Sequence, residues 1–276
     1  MAGDATIDCR REGGWLTIWL DRPETRNALS GQMSAELIAA LDAVRDDRSL
    51  RGITLRGRGG VFCAGGDLRA FRRMATGEMT EDEIAAFSAA GARLFAVLDA
   101  QPQVVLALVE GAAMAGGLGL LCAADVVVAT RDARFALTET RLGLPPAQIA
   151  PYVVRRVGMT EARRIMLTGA RFDGEAARRM GLANLLAEDT GGLDTIEAEL
   201  RADVLRCAPG ATAATKALLR ALPAMPPEEV PQMAGRSFAR CLAGPEGQEG
   251  VAAFLERRRP SWAPEPEPDP DRGDAG

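Results

Sequence analysis

The chain of 276 residues contains no histidine. Ser-His-Asp triads, Cys-His pairs and His-ligated metals are excluded, so any proton transfer falls to Asp, Glu, Lys, Tyr or Cys. Cysteine is sparse and unpatterned. Cys9, Cys63, Cys122, Cys207 and Cys241 are an odd, scattered set without a Cys-x-x-Cys pair, which suits reduced structural thiols better than a zinc site or a disulfide framework. No metal is expected. No apolar run reaches the roughly 20 residues that cross a bilayer. Met1–Arg10 lacks the basic segment and apolar stretch of a secretory leader. The expectation is a cytoplasmic protein without a membrane partner. A formal charge of −5 also argues against nucleic acid.

What is present is ordinary for a globular chain: 47% hydrophobic and 26% charged residues, enough to bury a sizeable core. Trp15–Leu20 (WLTIWL) reads as a strand closed by Asp21-Arg22-Pro23, and Ser30 as the cap of a helix with Met33, Leu37, Ile38, Leu41 and Val44 on one face. Ile53–Leu55 is a short strand ahead of Gly57–Gly60. Thr80 and Glu83 form a capping box before Ile84, Phe87, Leu94, Phe95 and Leu98 at helical spacing. Val104–Val109 and Asp125–Ala129 read as buried parallel strands, with a turn and helix over Gly111–Ala123 between them. Thr160 and Asp173 are expected to cap two short helices ending at Gly169 and Gly181. Alternation of strand and helix predicts an α/β fold of crossover units for residues 1–200. A helical region follows at 201–261, and then a Pro- and acid-rich tail, 262–276, expected to be disordered.

Two glycine-containing segments are candidate sites. Val61-Phe62-Cys63-Ala64-Gly65-Gly66-Asp67-Leu68 follows a strand; Glu110-Gly111-Ala112-Ala113-Met114-Ala115-Gly116-Gly117-Leu118-Gly119 follows VVLALV and opens a helix. Small residues there admit a ligand close to backbone N–H groups, although tight strand–helix packing explains each segment alone equally well. Neither matches the phosphate loop or the dinucleotide fingerprint.

Taken together these segments resemble a family. Arg22-Pro23 with Arg26-Asn27-Ala28-Leu29, then FCAGGDL, EGAAMAGGLGL, Asp125 and Phe135–Gly143 (FALTETRLG) stand in the order and at the intervals of the enoyl-CoA hydratase/isomerase, or crotonase, family. The resemblance runs from about residue 12 to 262. It implies a crotonase-type spiral of ββα crossover units with C-terminal helices, assembled as a trimer or a dimer of trimers. It also implies that the backbone amides of Gly66 and Gly116 polarise a thioester carbonyl. Such donors need no protonation state, and one is worth about 3–4 kcal/mol. Coenzyme A would enter as part of the substrate, with no separate cofactor. The resemblance puts Arg26, Ala28, Ala64, Gly66 and Leu68 around it, with Asp67 in the same turn, Arg69 near its phosphate, and Phe254 and Arg257 closing the pocket, often from a neighbouring subunit.

The family's two-glutamate hydratases carry carboxylates at the positions of Gly119 and Glu139, so this chain keeps one, Glu139. Desolvation would raise its pKa toward acid–base use. Asp67 is expected to organise its own turn, Asp125 to pin a strand and Glu110 to be structural. Arg155, Arg156, Arg163, Arg164, Arg171, Arg178 and Arg179, interleaved with Glu161 and Glu175, read as a solvated face or subunit contact. The stretches ETRLGLPPAQIAPYVVRRVG and RCAPGATAATKALL are similar to hydratases of isohexenylglutaconyl-CoA and methylglutaconyl-CoA. Hydration of a branched, glutaconyl-type 2-enoyl-CoA is the reading; double-bond isomerisation by one glutamate and non-catalytic acyl-CoA binding are the alternatives. If residues 139–141 are extended, Arg141 shares a face with Glu139 and is placed to pair with a substrate carboxylate.

Overall fold

In the computed structural model, which describes residues 5–67, 72 and 75–264, strand β2 (Trp15–Leu20) has two apolar faces. Leu16, Ile18 and Leu20 enter the main core. Trp15, Thr17 and Trp19 alternate with them and so face the other way. β2 pairs antiparallel with β1 (Ile7–Glu12) and parallel with β3 (Gly52–Gly57). Parallel pairing continues through β4 (Val104–Val109), β6 (Val126–Thr130) and β9 (Leu185–Ala187), giving the order β1-β2-β3-β4-β6-β9. β1, mostly polar apart from Ile7 and Cys9, carries no sequence signal and, among the described residues, is the antiparallel neighbour in this sheet. A second sheet contains β5 (Ala112–Met114), β7 (Arg134–Ala136) and β8 (Arg171–Asp173). Phe135 and Phe172, paired across β7 and β8, stack at 5.5 Å and anchor it.

The central strands are buried on both faces, as parallel sheets generally are. Against one face lie α1 (Gly31–Val44) and α2 (Glu81–Asp99), through Leu37, Leu41, Leu94 and Leu98. On the other face the Trp15 indole donates to the Thr54 hydroxyl at 2.8 Å, and that hydroxyl donates at 2.6 Å to Glu197 of α6 (Thr190–Arg206). Between them in sequence come α3 (Gly116–Ala123), α4 (Ala150–Thr168) and α5 (Gly174–Arg179). Caps at Ser30, Thr80 and Asp173 form as their sequences predict, with Thr80 and Glu83 completing the reciprocal box.

Three local readings are corrected. Gly111–Ala123 is not only a turn and a helix, because β5 forms first, recruited by β7. Thr160 lies inside α4 rather than capping a new helix; the break falls two residues earlier, at Gly158, whose φ of 74° and ψ of 162° only glycine adopts readily. Residues 139–142 form a 3-10 turn rather than an extended stretch.

The chain divides into two units, Met1–Ala198 and Glu199–Gly276. The second holds α7 (Pro209–Ala221), α8 (Val230–Ala243) and α9 (Pro245–Leu255). Within it the Glu246 carboxylate accepts from Gly210 N–H at 2.8 Å and Ala211 N–H at 3.2 Å, satisfying the start of α7. Trp262, the first residue of the expected tail, is anchored: its indole donates to Arg206 C=O at 3.1 Å. Residues 265–276 of that tail lie outside the described residues. Among the described residues no helix is long and apolar enough to cross a membrane.

One polar side chain locks the Arg22–Leu29 loop to the end of β3. Asn27 is fully buried; its Oδ1 accepts from Arg22 N–H at 2.8 Å, and its Nδ2 donates to Arg58 C=O at 2.9 Å and Val61 C=O at 2.7 Å. Arg26 and Asn27 both hold φ at 55°, a turn that such bonding sustains. Asn27→Ala is expected to destabilise the protein by about 2–4 kcal/mol, because it strands several buried polar groups together. The change should register as a lower denaturation midpoint in urea.

Candidate active site

The FCAGGDL turn is bound to backbone on both sides. On one side, Cys63 N–H donates to Ala112 C=O at 3.0 Å and Met114 N–H to Cys63 C=O at 2.9 Å. On the other, Ala64 N–H donates to Arg26 C=O at 2.9 Å, Leu29 N–H to Gly65 C=O at 2.7 Å, and Asp67 N–H to Leu29 C=O at 3.1 Å. Leu29 and Gly66 thus form a parallel bridge in which Leu29 bonds to the residues flanking Gly66. The N–H of Gly66 itself points away from Leu29, as parallel pairing dictates. Among the described residues it has no acceptor. Gly65, at φ 96°, makes the turn possible; a Cβ there would sit 2.8 Å from that of Ala115.

The start of α3 faces this turn. A Cβ built on Gly116 lies 3.9 Å from the Gly66 nitrogen and 3.1 Å from Leu29 Cδ1. Gly116 is the first residue of the helix, so its N–H has no partner within it. Ala115 before it adopts φ 49° and ψ −120°, a costly conformation for a residue with a side chain, held by its N–H donating to Ala136 C=O at 2.9 Å. The Gly66 amide of the turn therefore lies close to the first residue of α3.

Glu139 follows β7, the strand that pairs with β5. Met114 pairs with Ala136, and the 3-10 turn begins three residues later, at Glu139. Its Oε2 is buried and has no hydrogen-bond partner among the described residues. Burial pushes the carboxyl pKa above the ordinary glutamate range, only partly offset by its own backbone N–H. A buried carboxyl oxygen without a partner is costly, and such costs are sustained at sites that use the group.

The Gly119 position is filled by hydrocarbon. A Cβ there would collide with the Ile149 γ-methyl and come within 2.9 Å of Phe95 Cε1. Phe95 Cζ also reaches within 4.0 Å of a Cβ on Gly116, so this ring edge lines both positions. Phe95 reads from sequence only as helix core and Ile149 carries no signal at all; their role here comes from packing across α2, α3 and α4.

The other sequence candidates fall into three groups. Arg26, Ala28, Ala64 and Asp67 gather at the Gly66 turn, where Arg26 is exposed and Asp67 lies 4.0 Å from Arg22. Leu68 and Arg69 lie outside the described residues. Phe254 and Arg257 belong to the second unit, where Phe254 is 83% exposed. Arg141 is corrected: in a 3-10 turn, residues two apart do not share a face, and its side chain lies over Gly169, with Nε 2.8 Å from a Cβ built there. Asp125 pins the neighbouring strand as well as its own, accepting from Val105 N–H at 2.7 Å. Cys63 and Cys122 are buried thiols, each pushed up to about 12 by desolvation, and are packing groups rather than nucleophiles. Among the described residues no cluster of metal-ligating side chains forms.

The fold, with its parallel main sheet and helical second unit, belongs to a class that comparison with known proteins identifies. The enoyl-CoA hydratase/isomerase family profile matches residues 10–265, and the chain belongs to that family. Its fold is that of Pseudomonas aeruginosa AtuE, with a TM-score of 0.90 and 46% identity over 94% of this chain and 100% of that one. An enoyl-CoA hydratase/isomerase from Marinobacter aquaeolei superposes with a TM-score of 0.88 and 39% identity, covering 94% of this chain and 99% of that one. Enoyl-CoA hydratase EchA19 of Mycobacterium tuberculosis is 32% identical, covering 94% of this chain and 96% of its own length.

The packing at Gly119 is open to a direct check. Gly119→Glu should lower the denaturation midpoint by an overpacking cost of about 1–3 kcal/mol. Gly119→Glu with Ile149→Ala should recover part of that loss, since the colliding branch is removed. A fully stable Gly119→Glu protein would show that the wall yields freely.

Proposed function

We propose that this protein is a hydratase that adds water across the double bond of a 2-enoyl-CoA thioester. The observation that supports the reading is the approach of the Gly66 amide, which has no acceptor among the described residues, to the N-terminus of α3, together with the buried Oε2 of Glu139 on the turn after β7. In this reading the thioester oxygen accepts from Gly66 and Gly116. Negative charge gathers on that oxygen as the enolate forms, and fixed amides in a desolvated site are well suited to stabilise it. Ionised Glu139 takes a proton from water as the hydroxyl oxygen bonds to the β-carbon. The electron pair of the double bond moves onto the carbonyl oxygen. Glu139 then returns the proton to the α-carbon and the carbonyl re-forms, so one carboxylate serves first as base and then as acid.

The motif resemblance to hydratases of branched glutaconyl thioesters supports a branched, carboxylated acyl chain; Arg141 lends that no support. Arg26, Ala28, Ala64 and Asp67, gathered at one turn, support coenzyme A binding there. The exposed Phe254 and Leu255 support burial in a homo-oligomer, a trimer or a dimer of trimers by family resemblance.

The apolar wall at Gly119 favours a second reading, in which Glu139 moves a proton from the γ- to the α-carbon and shifts the double bond without water. A panel of straight, branched and carboxylated enoyl-CoA thioesters separates the two by product mass. A gain of 18 mass units means hydration; an unchanged mass with a moved double bond means isomerisation.

Glu139→Gln is expected to lower kcat by about 10²–10⁴-fold. Because burial favours the protonated form, the ionised base is reached only above the ordinary glutamate range. Wild-type kcat/KM should therefore rise with pH through a limb placed above that range, and the variant should lack the limb. The same sign governs stability. A folded-state pKa above the unfolded value makes stability fall as pH rises between the two, so Glu139→Gln should be no less stable than wild type near neutrality.

A further inference from the structure

Arg156 belongs to a run of arginines that reads from sequence as a solvated face or subunit contact, and in the structure it is a clamp. Its Nε donates to Leu182 C=O at 3.1 Å, its Nη1 to Ala124 C=O and Asp125 C=O, each at 3.1 Å, and its Nη2 to Asn184 Oδ1 at 2.5 Å. Ala124 is the C-cap of α3 and Asp125 the residue after it, so one of these bonds falls on the cap and another on the link to β6, just past the helix whose first amide is Gly116. The last carbonyls of a helix lack partners of their own, and a cation is favourable there. A guanidinium alone can reach several of them in one plane. The neighbouring Arg155 does none of this, pairing with Asp99 and lying over the Tyr152 ring.

The far end of this clamp is equally fixed. Asn184 Oδ1 also accepts from Val127 N–H at 2.8 Å, and Asn184 N–H donates to Val127 C=O at 2.8 Å. Arg156 thereby joins the end of α3 to β6 and to the segment leading into β9. α3 has eight residues, and all after Gly116 are buried, so it has little room to bend between its ends. Ile149, just before α4, presses on Gly119 from the same side, so α4 holds α3 both near its start and at its end.

We propose that Arg156 is a positioning residue for the two-amide site: by fixing the carboxyl end of α3, it fixes the direction in which Gly116 N–H points. The inference rests on the oxyanion reading above. A change at Arg156 acts through α3 and leaves coenzyme A contacts at the Gly66 turn in place, so it separates turnover from binding.

The test uses the full-length enzyme and an aryl-conjugated enoyl-CoA thioester whose absorption band moves to the red when its carbonyl is polarised. Arg156→Gln is expected to give about half the wild-type red shift and about tenfold lower kcat, with KM within about twofold, since small misalignments at a reacting centre cost rate before affinity. Arg156→Lys, which keeps the charge and loses the planar fork, should fall between. A folded Arg156→Gln with wild-type red shift and kcat overturns the proposal. So does an equal fall in kcat and rise in KM in both variants, the mark of general damage. Should Arg156→Gln fail to fold, Arg156→Lys decides: a reduced shift at unchanged KM sustains the proposal, and a wild-type shift overturns it. Absence of a red shift in the wild type itself removes instead the oxyanion reading beneath it.

Discussion

The site depends on two parallel bridges that grip one short segment, Cys63 against Ala113 and Gly66 against Leu29. Between them they engage the backbone of Cys63, Gly65 and Asp67 and leave the amide of Gly66 without an acceptor among the described residues. That selectivity is a property of register: a slip of one residue would turn the opposite set of N–H groups toward Leu29. Asn27 holds the Leu29 side of the grip through three hydrogen bonds, and the β5–β7 pairing holds the Ala113 side. The Cys63 side chain, buried at the centre, contributes volume.

Much of this frame is legible before any coordinates. WLTIWL, VVLALV and the caps at Ser30, Thr80 and Asp173 carry local signals strong enough to locate β2, β4 and three helix starts, because period and capping chemistry are encoded within a few residues. What is not legible is what depends on distant partners. β5, β7 and β8 are three residues each and exist because they pair with one another. β1 is too polar to announce itself. The turn after Glu139 reads equally well as extended, and only the structure turns Arg141 onto Gly169. Arg156 is indistinguishable in sequence from its solvated neighbours; the carbonyls it meets come from segments between 26 and 32 residues away.

The candidate site is asymmetric in a chemically meaningful way. One side offers a buried carboxyl with a raised pKa; the other, where a second carboxyl would stand, offers the edge of Phe95 and the branch of Ile149. Hydrocarbon there leaves no carboxyl on that side to share the proton chemistry. With no histidine in the chain, no other side-chain type has an unperturbed pKa between 5 and 8.

In the proposed reading the donors are backbone groups, which changes how inherited variation can reach them. A side-chain donor is lost by almost any codon change; the N–H of Gly66 or Gly116 survives every replacement but proline. Substitutions at these positions act by bulk alone, as the Leu29 and Phe95 atoms crowded around Gly116 make plain. Lineages of this fold are thus free to reshape the cavity, residue by residue, while the two amides themselves pass unaltered from one generation to the next.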